Sequence, residues 1–296
     1  MINMQTIQNT QDIINAFNNN YKKLSNLTAI YSELALRMIT KLDFLVLTAN
    51  AILDLGSGMN LDAKLLYNKY PNSKLYTLDT AINVLKYYRS SQSKLSKILQ
   101  VFKKQQFTHT SLNANIMSLP IIANSMDIVY SNLTMPYLGA TATNKFAQYQ
   151  VFFNELARVL KQDGIFLISG LSVASLQELR NYGLSCANLP DMHDIGDLLN
   201  SNMYFNNIVI ESDILTISYD NYNNLKEDLK IVAANLIPNS PNTTQIKFNK
   251  TAYLSLLDKI KNHNFEISLE IYYAYGVRNQ IEFVNKNAKT IPIKRI

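Results

Sequence analysis

The segment AILDLGSGMNLDA, Ala51 to Ala63, constrains the fold more than any other part of the chain. An apolar run carries Asp54 near its end, turns through Gly56-Ser57-Gly58 and enters a helical pattern. A strand that stops at glycines and feeds a helix is the opening of a crossover unit, and crossover units build parallel sheets. A second apolar run, KLYTLD (Lys74–Asp79), also ends on an acid. Ligands of such sheets bind at the carboxyl ends of the strands, so Asp54 and Asp79 stand where a small molecule is held.

The rest of the chain keeps the same rhythm. Residues 11–46 read as helical, about 60–70 as a helix stopped by Pro71-Asn72, and roughly 81–104 as a basic helix or helix pair. Phe107–Ala114, Met126–Leu133 and Gly164–Leu171 read as the third to fifth strands. A helix over about 145–160 is expected to end with Gly164 in the left-handed cap conformation. SLQELR and DIGDLLNS read as helices, and Asn206–Tyr219 as a sixth strand with a bulge. A polar helical stretch from 222 to 263 precedes a last strand over Phe265–Arg278. The fold class is α/β, a Rossmann-like seven-stranded sheet with an N-terminal helical segment and a helical lid before the last strand. Residues 1–278 are expected to form one domain: a helical cover at 1–46, a nucleotide-binding core at 47–171, substrate-side helices, strand and lid at 172–263, and the last strand at 264–278. A basic tail follows at 279–296.

The glycines limit the nucleotide. A dinucleotide turn wants GxGxxG, but its third glycine falls on Leu61, and no Gly-Lys-Ser/Thr follows to make a P-loop. Asp54 repels phosphate and can accept hydrogen bonds from an ammonium group. Gly56, Ser57 and Gly58 let a sulfonium nucleoside lie over the backbone, and Asp79 can accept both ribose hydroxyls. The pattern reads as a site for S-adenosylmethionine (AdoMet).

Charge and cysteine usage narrow the surroundings. A net charge of +6 points to an acidic partner: nucleic acid, anionic lipid or an acidic protein. No acid lies between Asp79 and Asp127, whereas Lys86, Arg89, Lys94, Lys97, Lys103 and Lys104 do, interleaved with Tyr87, Tyr88 and Phe102. The alternative is a solvated lysine-rich face. The single cysteine, Cys186, excludes a disulfide framework, and the separated His109, His193 and His263 argue against a zinc site. Without a signal-like N-terminus or a membrane-length apolar run, the expected location is the cytoplasm.

LNANIMSLPIIANSMDIVYSNL resembles the D-A-E-x-L-P-F…S-F-D-x-V-x-S-N stretch of class I AdoMet-dependent methyltransferases of the type 11 branch. The resemblance implies that Asn115 meets the adenine amino group, that Ile116 covers the adenine, and that Asn132 and Leu133 lie beside the methyl donor. Thr80, next to Asp79, is counted with them. Asn115 replaces an Asp, and Asn60 stands where the branch has a glycine. Asparagine tolerates left-handed backbone, so a distorted but usable turn is expected.

A narrower resemblance spans most of the chain. SNLTMPYL, FNELARVLKQDGIFLISGLSVASLQELR, DMHDIGDLL, ILTISYDNYNNLKEDLKIVAANLIPN and EIYYAYGVR look like the malonyl-[acyl-carrier protein] O-methyltransferases of biotin synthesis. It implies methyl transfer from AdoMet to the free carboxylate of a malonyl thioester on an acidic acyl-carrier protein, or on malonyl-CoA, with no nucleic acid, membrane or metal involved. Tyr21 or Tyr31 then covers the donor, and Tyr137 stands where the family has a Trp. A malonyl carboxylate is ionised at pH 7 and needs no general base, so alignment is the whole catalytic task. Arg180 is the candidate fork for that carboxylate, against a plain surface role. His193 either holds the thioester carbonyl or belongs to a helix start, and DMHD favours the second. The carrier would dock on the Lys86–Lys104 patch or near Lys226 and Lys230. Other readings are a methyltransferase with a different acceptor, an AdoMet-fold hydroxylase or assembly factor of respiratory complexes, and a degenerate non-catalytic partner.

Overall fold

The computed structural model describes residues 10–22, 28–45, 48–88, 109–139, 144–182, 189–221, 223–225, 254–256, 258–260 and 265–279. Seven strands form one sheet: β1 (Ala51–Leu55), β2 (Lys74–Asp79), β3 (Thr110–Asn113), β4 (Met126–Ser131), β5 (Leu160–Leu171), β6 (Phe205–Tyr219) and β7 (Phe265–Arg278), in the order β3-β2-β1-β4-β5-β7-β6. β1 pairs in parallel with β2 and β4, as do β2 with β3 and β4 with β5. β7 runs antiparallel to both neighbours. The expected bulge in β6 is present, as a register shift between Asn206 and Val209.

Helices α1 (Thr10–Asn20), α2 (Thr28–Lys41), α3 (Leu61–Lys69), α4 (82–88), α5 (Met135–Gly139), α6 (Lys145–Val159) and α7 (Met192–Ser201) surround the sheet. Leu34 and Met38 of α2 and Ala63 and Leu66 of α3 bury against Ile52, Ile128 and Tyr130 on one face. Phe152 and Phe153 of α6 and Ile195 and Leu199 of α7 fill the other face against Leu53, Val129 and Phe166. Strand β1, flanked by β2 and β4, is where the chain order reverses. The crevice beyond its carboxyl end is therefore the ligand position of this architecture.

Several details depart from the sequence reading, among them the end of β4 at Ser131 and the start of β5 at Leu160. The helical stretch 11–46 is two separate helices followed by a 3-10 turn over Leu42–Phe44. The third strand is shorter, Thr110–Asn113. SLQELR does not form an α-helix: Gln177–Tyr182 is a 3-10 segment. Helix α6 ends in extended backbone at Leu160, not in a left-handed cap; the left-handed residue nearby is Asp163, at φ 60° within β5, and not Gly164. Gly164 is needed for close approach, since a Cβ there would lie 2.8 Å from the Lys161 carbonyl and 3.1 Å from that of Met126. The polar stretch 222–263, with Lys226 and Lys230, lies mostly outside the described residues, as does the basic run from Arg89 to Lys104. Lys86 is described and exposed.

Candidate functional site

A cavity of about 370 Å³ opens at the carboxyl ends of β1, β2 and β4. Its floor is the turn after β1. Gly56 and Gly58 have φ of 66° and 47°, values that disfavour any side chain. A Cβ on Gly56 would fall 2.1 Å from Oγ1 of Thr134, so the turn after β1 and the turn after β4 are pressed together there. The amides of Gly56 and Ser57 both donate to the Leu78 carbonyl, at 2.8 and 3.1 Å. Asn60 takes the left-handed conformation expected of it, at φ 55° and ψ 33°, and hands the chain to α3.

Asp79 closes the turn from the β2 side. Its Oδ2 accepts from the Gly58 amide at 2.9 Å and its Oδ1 from the Ala81 amide at 2.7 Å. Burial pushes its carboxyl above the usual range against the pull of those bonds. Asn115 Oδ1 accepts from the Met117 amide at 2.9 Å, which presents the buried Ile116 to the cavity. The loop beyond is clamped from α6. Arg158 donates to the carbonyls of Ile121, at 2.7 Å, and Leu119, at 2.9 Å, and Glu155 accepts the Leu119 amide at 2.7 Å.

The turn after β4 is held by side chains. Leu133 sits at φ 54°, a strained value for leucine, and its amide donates to Ser169 Oγ at 2.9 Å. Ser169 Oγ donates to Asn132 Oδ1 at 2.7 Å, and Asn132 Nδ2 donates to Asp62 Oδ1 at 3.1 Å. The Tyr130 hydroxyl donates to the same Asp62 oxygen.

The roof is apolar. Ile13, Ile14 and Phe17 of α1 line the cavity, and the Phe17 ring meets Tyr137 edge-on at 5.1 Å. The Tyr137 hydroxyl bonds Tyr31, and burial first, then Tyr31, raises its pKa well above the usual tyrosine value.

The cavity thus brings together Gly56, Ser57, Gly58, Asp79, Thr80, Asn115, Ile116, Asn132, Leu133, Tyr31 and Tyr137 of the residues singled out by sequence. Asp54 lies beneath the turn, 1% exposed, with Oδ2 unpartnered. Its carboxyl is raised well above the ordinary range, by burial first and then by Asp62 and Asp79. Tyr21 packs its ring 5.2 Å from Tyr87 instead of lining the cavity. His193 stands exposed on the first turn of α7, away from the cavity. Its amide donates to the capping Asp191 at 2.8 Å, and Asp194 completes the capping box. The backbone of Arg180 lies in the 3-10 segment, and its side chain is outside the described residues. Sequence reasoning missed Asp62, Thr134, Ser169 and the α1 roof.

Residues 53–168 match the family model described as a methyltransferase domain. A malonyl-[acyl-carrier protein] O-methyltransferase of Gallionella capsiferriformans is 31% identical over 236 residues, which make up 76% of this chain and 74% of that protein. This chain belongs to the malonyl-[acyl-carrier protein] O-methyltransferase family. A relative of the same name from Methylovorus sp. is 30% identical over 208 residues, 68% of this chain and 66% of that one. Among solved structures, the YcgJ protein of Bacillus subtilis aligns with a TM-score of 0.53 at 15% identity, covering 84% of this chain and 99% of that one, a likeness of fold.

The methyltransferase draws its methyl group from AdoMet, and the site fits that donor. AdoMet carries a sulfonium and an ammonium, and the cavity holds Asp62 and Asp79 with Asp54 just beneath. No lysine, arginine or histidine is among its described lining residues. A phosphate-bearing nucleotide would meet repulsion here, whereas a cation is attracted. The buried Ser57 hydroxyl lines the cavity with no protein partner, a polar atom left for a ligand.

Proposed function

We propose that this methyltransferase esterifies the free carboxylate of a malonyl thioester carried by an acidic acyl-carrier protein, an early step toward the pimeloyl chain of biotin. The observation that carries the reading is the electrostatics of the cavity: carboxylates at the glycine-turn end, and phenols and apolar side chains at the α1 end, with no histidine, lysine or arginine among the described lining residues.

AdoMet, when bound, supplies the electrophilic methyl group. The chain's own residues hold and align. Asp79 is assigned to the ribose hydroxyls, Ser57 and the Asp54 carboxylate to the amino acid end, and Asn115 with Ile116 to the adenine. Asn132 and Leu133 line the space beside the donor, and Thr80 borders it. Tyr137 remains a protonated phenol at any physiological pH, so it can donate a hydrogen bond to a carboxylate but cannot act as a base. The α1 roof excludes water, which strengthens attraction between an anionic acceptor and a cationic donor. Proximity then supplies most of the rate, because the acceptor is already ionised.

The cation that selects the malonyl carboxylate is assigned to Arg180. Its 3-10 segment is anchored by Leu179 in the same core cluster that Leu133 and Tyr137 pack against. On this reading the enzyme works in the cytoplasm. No helix among the described residues is long and apolar enough to cross a membrane.

The test is acceptor selectivity. With labelled AdoMet, malonyl-carrier protein should yield a base-labile ester, malonyl-CoA a slower reaction, and acetyl-carrier protein none. Equal labelling of the acetyl and malonyl forms would refute the carboxylate as acceptor.

A further inference from the structure

Asp62 is a half-buried acid that the reading above does not use. It sits in the first turn of α3 and opens onto the cavity between the glycine turn and the turn after β4. The groups facing it are Asp54 from β1 and Tyr130 from β4, with Asn132 just beyond β4; Asp79 from β2 acts on Asp54 and lines the same cavity. Tyr273 of β7 lies near Tyr130. None of these is a cation. Two donors converge on Oδ1, the Tyr130 hydroxyl and Asn132 Nδ2, and the Asp62 backbone amide also bonds the carboxylate, so the side chain is held in place at the wall of a cavity that has no cation among its described lining residues. Through Asn132, Asp62 is linked to Ser169 and so to the strained amide of Leu133.

We propose that Asp62 is the charge-selecting group of the donor pocket: its carboxylate attracts the cationic donor, and its bond to Asn132 positions the turn after β4. The proposal rests on AdoMet being the donor. Burial raises Asp62 to about 6, with the bonds from Tyr130 and Asn132 pulling the other way. Without donor it therefore takes up a proton just below neutrality. Binding of the cation favours the carboxylate, so the proton leaves the carboxyl oxygen for bulk solvent as AdoMet enters. S-adenosylhomocysteine has a neutral sulfur and should drive this exchange more weakly.

Asp62→Asn separates charge from structure, because an Asn Oδ1 keeps both hydrogen bonds. Calorimetry with AdoMet and S-adenosylhomocysteine, at pH 6 and pH 8 in two buffers of different ionisation enthalpy, reads affinity and proton release together. For the parental protein, AdoMet affinity should rise about twofold from pH 6 to 8, with about half a proton released at pH 6. Asp62→Asn should abolish that release and lower the preference for AdoMet over S-adenosylhomocysteine about tenfold. Ser169→Ala should weaken both ligands alike and keep the proton release. A preference and pH slope unchanged by Asp62→Asn overturn the assignment. If Asp62→Asn does not fold, absence of proton release from the parental protein overturns it. Failure of the parental protein to bind either ligand overturns the AdoMet reading itself.

Discussion

The Asp79 carboxylate and the Gly58 amide are bonded at 2.9 Å, which ties the end of β2 to the glycine turn of β1. The acid assigned to the ribose is thus also the brace of the turn under the donor. Asp79→Ala should weaken AdoMet at least about tenfold, since an unmet buried hydrogen bond costs roughly 1–3 kcal/mol. Asp79→Asn should be no milder. Its amide nitrogen would confront the Gly58 or the Ala81 amide, donor against donor. Calorimetry checks both, with circular dichroism to verify the fold. Full affinity in Asp79→Asn would remove Asp79 from the site.

The pH dependence divides between donor binding and turnover. Asp62 loses AdoMet affinity only as it protonates, near pH 6. The malonyl carboxylate stays ionised and Tyr137 stays neutral, so kcat at saturating AdoMet should be flat from about pH 6.5 to 9. A bell-shaped kcat profile with a limb near neutrality would reveal a general base.

Stability should move opposite to binding at Asp62. Its folded pKa of about 6 lies above the ordinary 3.8. Its contribution to stability is therefore complete below about pH 4 and is lost as pH rises through about 6. At pH 7.5 the ionised group burdens the ligand-free fold by about 1–2 kcal/mol, after allowance for water in the cavity. Asp62→Asn should melt higher than the parental protein at pH 7.5, and the difference should vanish near pH 4. A lower Tm for the variant at pH 7.5 would contradict this.

The clamp on the loop after Ile116 should matter at a distance. Arg158→Ala removes the donors to the Leu119 and Ile121 carbonyls and leaves Glu155 without its ion pair. A loss of about 1–3 kcal/mol in stability and a several-fold weaker AdoMet affinity are expected, because Ile116 and Asn115 are no longer held. Thermal melts and calorimetry read these separately. Unchanged affinity would confine the clamp to folding.

What was legible in the sequence follows from which interactions are local. The β7 strand reads at its observed bounds, Phe265–Arg278, because a long β-branched and aromatic run has no competing pattern. The glycine turn and the acid at the end of β2 are short-range signals, and both reach the cavity. Asp62 was invisible because an acid in the first turn of a helix is ordinary, and only the fold sets Tyr130 and Asn132 against it. Ile13, Ile14 and Phe17 read only as the apolar face of a covering helix because apolar spacing cannot separate a core face from the roof of a cavity. Gly164 was misassigned because the chain enters β5 directly from α6, and the glycine is required by close approach of the Lys161 and Met126 carbonyls instead of by a left-handed cap.

Arg180 carries the acceptor side of the account. Arg180→Ala should lose more than about tenfold in kcat/KM for malonyl thioester, Arg180→Lys should recover part of it, and AdoMet affinity should hold in both, as a charge-assisted fork is worth roughly 1.5–3 kcal/mol. Parental kinetics in Arg180→Ala would place the carboxylate elsewhere.

The central claim is methyl transfer to carrier-bound malonate. Intact-mass spectrometry of malonyl-carrier protein, incubated with AdoMet and the enzyme, measures it directly. The account predicts the added mass of one methyl group on the acyl chain, removed by mild base and formed more slowly at limiting AdoMet when Asp79→Ala replaces the parental enzyme. A carrier protein of unchanged mass, under conditions where calorimetry shows AdoMet bound, would contradict it.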